Sequence, residues 1–198
     1  PERASRPFDA KRSGFVLGEG AGMLLLESEE RARSRGANII CEFAGAGWSF
    51  DATDDAAPDA SGQALAMRRA MTCAGVTPDQ VSYINAHGTS TELNDKAETA
   101  AIKMALGEAH ARRVAISSTK SMTGHIAAGA GGVEAVISAL AIRDNVIPPT
   151  INYEEPDPEC DLDYTPNVKR ELEVDVVLSN SFGLGGQNAT IVLRRYRP

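Results

Sequence analysis

An α/β fold, a mixed sheet covered by helices, is predicted by three features of this 198-residue sequence. Strand-like and helix-like patterns alternate through its middle. Two apolar runs near the end, "VDVVLSNSF" and "NATIVLRRY", flank the glycine turn "GLGG" and read as an antiparallel pair. Within them "VVLS" and "ATIVL" are apolar at successive positions, as in strands buried on both faces.

The elements follow in order. Residues 14–27, "GFVLGEGAGMLLLE", read as a short strand, a glycine turn and a strongly apolar second strand. "SEERARSRGA" is a short polar helix closed by Gly36, "NIICEFAGAGWSF" is β-rich, and "DATDDAAPDASG" is a polar loop. "SGQALAMRRAMTCAG" has helical periodicity, with Ala64, Met67, Ala70 and Met71 on one face and Gly75 at the end. After the turn "VTPDQ", the strand "VSYINA" runs straight into His87. "ELNDKAETAAIKMALG" is a helix and "RVAISST" the next strand. "GGVEAVISALAIRDN" is an almost wholly apolar helix, which predicts burial. A connection rich in Pro and Asp, residues 146–167, leads to the final pair.

Composition removes several functional classes. The formal charge of −7 argues against a nucleic-acid surface or an anionic membrane as partner. No segment approaches the roughly 20 apolar residues of a membrane span, and "GMLLLE" is too short for a signal peptide. Cys41, Cys73 and Cys160 are scattered, odd in number and without metal spacing, which points to a reducing, cytoplasmic setting and to thiols that are structural or incidental. The opening "PERASRPFDAKRSG" has no initiating methionine and reads as the interior of a larger protein.

Two glycine runs invite a phosphate-binding reading. "GEGAG", residues 18–22, lacks the third glycine of a dinucleotide loop and leads into an apolar run instead of a helix; a tight turn between two strands is expected. "GAGG", residues 129–132, does open a helix, but no Gly-Lys-Ser/Thr follows and Lys120 lies upstream. These small residues are expected to let the helix start close under neighbouring backbone.

Three chemically loaded loops follow predicted strands: His87 after "VSYINA", Lys120 after "RVAISST", and "NSFGLGG" after "VDVVL". Strand ends are where open α/β sheets hold their sites. His87 and His125 both sit in loops rich in Gly, Thr and Ser, whereas His110 in "GEAHARR" reads as structural. Two imidazoles and an ammonium on one face make an electropositive pocket suited to a developing oxyanion or enolate. A zinc site is the weaker option, since metal spacing and a third ligand are lacking.

The motifs "INAHGTSTELND", "SSTKSMTGHIAAGAGGVEA", "PPTIN" and "LSNSFGLGGQNATIVL" closely resemble the C-terminal half of elongating β-ketoacyl-[acyl-carrier-protein] synthases, the thiolase-like condensing enzymes. "SRPFDAKRSGFVLGEGAG" resembles the stretch just before that half. The resemblance implies a layered α/β/α/β/α fold of two similar halves, with residues 1–50 ending the first and residues 51–198 forming the second. It implies a decarboxylating Claisen condensation of malonyl-carrier protein with an enzyme-held acyl group, in fatty acid or polyketide synthesis. His87 and His125 are then the decarboxylating and enolate-stabilising pair, Lys120 orders the site, and Glu134 pairs with Lys120. In the turn Phe182, Gly183 and Leu184, the Leu184 N–H is half of the oxyanion hole and Phe182 lines the acyl pocket. The family usually carries phenylalanine at the Leu184 position, where the ring gates acyl entry, and proline at the Glu92 position. Asn85, Ala86, Glu134, Ser179 and Asn180 are a candidate cation site; no cofactor and no catalytic metal are implied.

The family's nucleophilic cysteine lies well upstream of the first histidine, and counting back from His87 runs off the front of this chain. Cys41, Cys73 and Cys160 lack its small-residue turn at a helix N-terminus. The chain alone is therefore expected to be inactive, and to expose an apolar face meant for the missing half. Implied partners are acyl- and malonyl-carrier protein, the half bearing the cysteine, and a second copy in a homodimer. Arg3, Arg6, Lys11, Arg12, Arg68 and Arg69 are candidates for docking the acidic carrier. The competing reading is a non-catalytic, chain-length-determining partner subunit. A thiolase proper would carry a second cysteine in the C-terminal glycine turn, which reads "NSFGLGGQN".

Overall fold

The computed structural model describes residues 2–51 and 57–198. Much of the expected polar loop, residues 52–56, lies outside the described residues. Helix α1 (Glu29–Ser34) starts where the Ser28 side chain accepts from Arg31 N–H, and Gly36 follows in the left-handed region. Strand β1 (Glu42–Phe50) leads to α2 (Ala60–Ala74), which Asp59 caps and left-handed Gly75 ends. Next come β2 (Tyr83–Asn85), α3 (Glu92–Leu106) capped by Thr91, the single turn α4 (Glu108–Ala111), and β3 (Ala115–Ser117). The short α5 (Lys120–Thr123) precedes α6 (Ala130–Asp144), whose end is the left-handed Asn145. A small ribbon, β4 (Val146–Ile147) with β5 (Arg170–Glu171), comes before the final pair, β6 (Val176–Phe182) and β7 (Gln187–Arg194).

The main sheet has the order β1-β7-β6-β2-β3. Strand β2 runs parallel to β3 and β6, and β7 is antiparallel to β6 and β1, so the sheet is mixed as expected. Side-chain alternation sorts the same strands into two cores. Ile84, Ile116, Leu178 and Val192 pack with Met67, Ala70, Met71, Ala101 and Ile102 of α2 and α3. Their chain neighbours Tyr83, Ala115, Val177 and Leu193 pack on the other side with Ala139 and Ile142 of α6. Helices thus cover both faces, giving an α/β/α stack. The face read for α2 is correct: Ala64, Met67, Ala70 and Met71 are all buried.

Close approach of α2 to β1 depends on missing side chains. A Cβ on Gly45 would lie 2.7 Å from Ala74 N, and one on Gly47 would run into the backbone of Ala66 and Ala70.

Two expectations need correction. Residues 14–27 form neither a strand pair nor a tight turn. Their one bridge is from Leu17 to His125, and Leu17 and Met23 are 73% and 90% exposed. A strand needs a neighbour along its length, and the described residues supply one only at that point. Helix α6 is not wholly buried: Glu134, Ser138, Ala139 and Ile142 face inward, while Val133, Val136, Ile137 and Leu140 are half-buried. Its apolar girth exceeds what one sheet can cover. Among the described residues no helix is long and apolar enough to cross a membrane.

Gly47→Ala is expected to lift α2 from β1 and to cost about 2–3 kcal/mol, the upper range of overpacking changes. Urea denaturation of the variant beside the parent, compared at constant m-value, measures this.

Candidate functional site

Strand β2 delivers His87 to the sheet edge, and a buried carboxylate fixes it there. Glu98, on the inner face of α3, accepts from His87 N–H (2.9 Å) and Asn180 Nδ2 (3.0 Å) through Oε1, and from Gly88 N–H (2.7 Å) through Oε2. Thr190 Oγ1 in turn donates to Asn180 Oδ1 at 2.9 Å. Burial pushes the Glu98 carboxyl up, against the opposing pull of the Gly88, Asn180 and His87 donors. Gly88 is left-handed (φ 37°), and a Cβ there would sit 2.5 Å from Ser118 Cβ. The approach lets Ser118 Oγ donate to Gly88 O at 2.7 Å, tying the loop after β2 to the loop after β3.

That second loop carries Lys120. Its ammonium and the Glu134 carboxylate form a buried ion pair, 1% and 2% exposed. Burial pushes Glu134 up while Lys120 works against it. His125 follows α5 after left-handed Gly124. Its Nδ1 accepts from Ala127 N–H at 3.1 Å, which assigns the ring proton to Nε2.

The rings form a row. His87 and His125 have centroids 5.3 Å apart at 86°, Phe182 meets His87 edgewise at 5.8 Å, and Phe15 meets His125 at 5.7 Å. His87 is held well below the ordinary imidazole range by burial, then by the charge of Lys120 and by His125. His125 is lowered too, by burial and then by Lys120. Both rings are therefore neutral near pH 7, N–H donors beside one buried ammonium. That suits an oxygen that gains negative charge.

His87, His125, Lys120, Glu134 and Phe182 are thus brought together. Gly183 donates its N–H to Gln187 O at 2.7 Å, so that group is spent on the turn. Leu184 is at the turn's tip, 82% exposed, with its N–H bonded to no group among the described residues. Asn85 and Ser179 are register neighbours on β2 and β6. Asn85 Oδ1, Asn85 Nδ2 and Glu134 Oε2 are buried without a hydrogen-bond partner, Ala86 is buried, and Asn180 serves Glu98 and Thr190. Among the described residues no three His, Cys, Asp or Glu side chains are grouped to hold a metal.

The cysteines are elsewhere. Cys160 is in the α2–α3 core and its thiol is pushed up to about 12 by burial; Cys41 flanks the α6 core, and Cys73 is exposed on α2.

The six basic residues do not make one patch. Arg12 is buried, donating to Asp157 (2.6 Å), Asp9 O (2.8 Å) and Thr91 O (3.1 Å); it is a bolt, not a docking group. Arg3 and Arg6 pair with Glu154 and Lys11 with Glu155. Arg68 donates to Met104 O, in the last turn of α3, whereas Arg12 meets that helix at its start, about 18 Å away at ~1.5 Å per residue. Arg69 donates to Trp48 O.

Sequence reasoning missed Glu98 and Asp95. Asp95 is buried on α3, accepts from Phe8 N–H at 2.8 Å, and is pushed up to about 7 chiefly by burial. The available signal was spacing: positions 95, 98, 102 and 105 follow the 3–4 step of one helix face, with carboxylates at two of them.

The description "Beta-ketoacyl synthase, C-terminal domain" matches residues 40–154, more than half of the chain, and "Beta-ketoacyl synthase, N-terminal domain" matches residues 1–32. The chain belongs to the β-ketoacyl synthase family. It is 55% identical to a 3-oxoacyl-[acyl-carrier-protein] synthase 2 of Synechocystis sp., covering 100% of this chain and 48% of that protein. It is 54% identical to the protein of the same name from Coxiella burnetii, covering 98% and 47%. The chain spans about half the length of these relatives. Among solved structures, a type II PKS acyl-carrier protein in complex with its ketosynthase superposes at TM-score 0.96 with 41% identity, over 99% of this chain and 48% of that one. A β-ketoacyl synthase from Burkholderia phymatum superposes at 0.92 with 42% identity, over 97% and 46%. The α/β fold is therefore that of the thiolase-like ketosynthases.

Two outcomes follow for α3 of this β-ketoacyl synthase chain. Folded Asp95 keeps its proton to about pH 7, while the unfolded chain releases it near the ordinary 3.8. The folded state binds more protons between those values, so this contribution to stability is full below about pH 4 and declines as pH rises to about 7. Asp95→Asn is expected to flatten that decline, read from urea midpoints at about pH 5 and about pH 8. Glu98→Gln turns an acceptor into a donor facing a donor and is expected to cost about 1–3 kcal/mol, measured the same way.

Proposed function

We propose that this chain forms the decarboxylating side of a 3-oxoacyl-[acyl-carrier-protein] synthase, an acyltransferase of fatty acid or polyketide synthesis. The observation that carries the reading is the pair of neutral imidazoles, centroids 5.3 Å apart, beside the buried Lys120–Glu134 pair and the Phe182 ring. Malonyl-carrier protein presents its thioester carbonyl oxygen to the N–H donors of His87 and His125. The carbon–carboxylate bond breaks, carbon dioxide leaves, and its electron pair becomes an enolate whose oxygen those donors stabilise. The enolate carbon then attacks an acyl thioester, and the thiolate departs.

In this reading the cysteine holding that acyl group comes from a part of the protein outside this chain: Cys160 is buried in the α2–α3 core, Cys41 flanks the α6 core and Cys73 is exposed on α2. The unspent Leu184 N–H is one donor to the tetrahedral oxyanion. Burial first, and the Lys120 charge second, keep the imidazoles neutral; Lys120 also adds positive potential, and Glu134 holds it in place. A cation beside Asn85, Ala86, Glu134, Ser179 and Asn180 fits the unpartnered Glu134 Oε2 and Asn85 Oδ1. Acyl- and malonyl-carrier proteins as partners, a homodimer, a cytoplasmic setting and the two-half division of the chain belong to the same reading. A structural neighbour captured with an acyl-carrier protein supports the first of these. A non-catalytic chain-length subunit has no use for a neutral histidine pair poised beside an ammonium.

The test is malonyl-carrier-protein decarboxylation by the full-length protein. His87→Ala and His125→Ala are each expected to lower the rate by roughly 10²–10⁴-fold. The parent's rate should be level through neutrality and fall on the acid side, below the ordinary imidazole value of about 6.5, as the lowered pKa values are crossed and the rings gain protons. Retention of full rate in both alanine variants would refute the reading.

A further inference from the structure

The run "GEGAG" has no phosphate-binding context and does not form the expected turn, yet it lies against the most exposed member of the histidine pair. We infer that Gly18 is a positioning residue for His125, acting through a backbone clamp; this rests on the functional reading above. His125 is in an irregular stretch between the four-residue α5 and a short 3-10 turn, Ala127–Gly129. Regular structure does not hold it. Both of its backbone polar groups are instead bound by one short segment: His125 N–H donates to Val16 O at 2.7 Å, and Gly18 N–H donates to His125 O at 3.1 Å. This is the parallel bridge of Leu17 with His125. Leu17 is 73% exposed, so the attachment is made by backbone bonds and not by burial of that side chain.

The clamp requires a glycine. A Cβ on Gly18 would run into Thr123 O and lie 3.4 Å from Gly124 Cα, the residues immediately before His125. A side chain there separates the two segments, and the Gly18–His125 bond is the first to open. The imidazole then loses the backbone frame that sets its ring edgewise to His87, and the Ala127 contact that sets the tautomer shifts with it. Further along, a Cβ on Gly22 would run into the backbone of Gly132 and Val133, the first turn of α6, which presents Glu134 to Lys120. Gly20 differs: its Cβ would meet only the end of the Ile126 side chain, at 3.2 Å, and a side chain can give way where backbone cannot. The segment therefore predicts an order of severity that follows what each Cβ meets.

The experiment compares Gly18→Ala, Gly20→Ala and His125→Ala in the full-length protein, reading kcat and KM for decarboxylation of malonyl-carrier protein. Histidine-selective 15N NMR follows the His125 tautomer. Gly18→Ala is expected to lower kcat on the order of 100-fold with KM within about threefold, as for a catalytic group misplaced by an ångström, and to lose the signal of an Nδ1 acceptor. Gly20→Ala should stay within about tenfold of the parent on the same scale. Equal losses in kcat and KM with an unaltered tautomer, or an unchanged kcat in folded Gly18→Ala, would overturn the inference. If His125→Ala itself keeps the parent rate, the functional reading fails instead. Should Gly18→Ala not fold, amide hydrogen exchange in the parent decides: His125 and Gly18 N–H are expected to be protected together, and free exchange of both would overturn the clamp.

Discussion

Everything at the site hangs on a carboxylate buried away from the surface. Glu98 is fully buried, and an unpaired charge there would be expelled or protonated; burial does push its pKa up. What keeps it in place is a full set of donors drawn from different elements: the loop after β2, and Asn180 on β6, itself oriented by Thr190 on β7. Hydrogen bonds to a charged group contribute about 1.5–3 kcal/mol each, so three of them oppose, without cancelling, a desolvation cost of several kcal/mol. The same bonds fix the backbone of His87. Stability and the aim of the imidazole are thus one interaction.

The second carboxylate works differently. Glu134 meets a single ammonium, and its other oxygen has no partner. A lone buried ion pair is weak support for stability, since Coulomb attraction and desolvation nearly cancel. Its consequence lies in the neighbourhood. Burial is the first cause that keeps both imidazoles neutral, and the ammonium adds to it by disfavouring a second positive charge nearby, so each ring keeps an N–H for donation and a lone pair for a helper. Around the rings the electrostatic order is the Lys120 cation paired with Glu134, the Glu98 carboxylate bound to backbone N–H groups, and two neutral imidazole donors. Among the described residues no carboxylate pairs with either ring, and one that did would reverse the effect by drawing a proton onto the imidazole.

What could be read from the sequence was whatever local chemistry decides. Helix ends at Thr91, Gly75 and Asn145 are set by caps and left-handed residues, and the strands of the final pair by unbroken apolar runs. His87 and Lys120 were visible because β2 and β3 are parallel neighbours, so loops leaving them emerge at one edge. Long-range pairing was not visible. Residues 14–27 have the composition of strands, but a strand exists only with a partner, and no local pattern names one. Arg12 looked like surface because arginine usually is; its burial depends on Asp157, 145 positions away. Glu98 was hidden for a related reason. A carboxylate on a helix is ordinarily solvated, and its donors come from other elements.

The site also lies at a border between two kinds of surface. Behind it are Glu98, Lys120 and Glu134, all buried; beside it are Phe15, Leu17, Met122 and Leu184, all exposed. The flank of α6 is half-buried, and Trp48 and Phe50 on β1 are exposed as well. This matters for the imidazoles because the first cause lowering His125 is burial, and His125 is only half-buried. Any apolar layer that covers this face removes more water from the ring. Desolvation disfavours the charged form, so covering lowers the His125 pKa further and widens the pH range in which its Nε2–H serves as a neutral donor. His87, already buried, has little more to lose. The two rings therefore differ in what sets their charge state: His87 is fixed by this chain's own packing, and His125 is tuned by whatever closes over it.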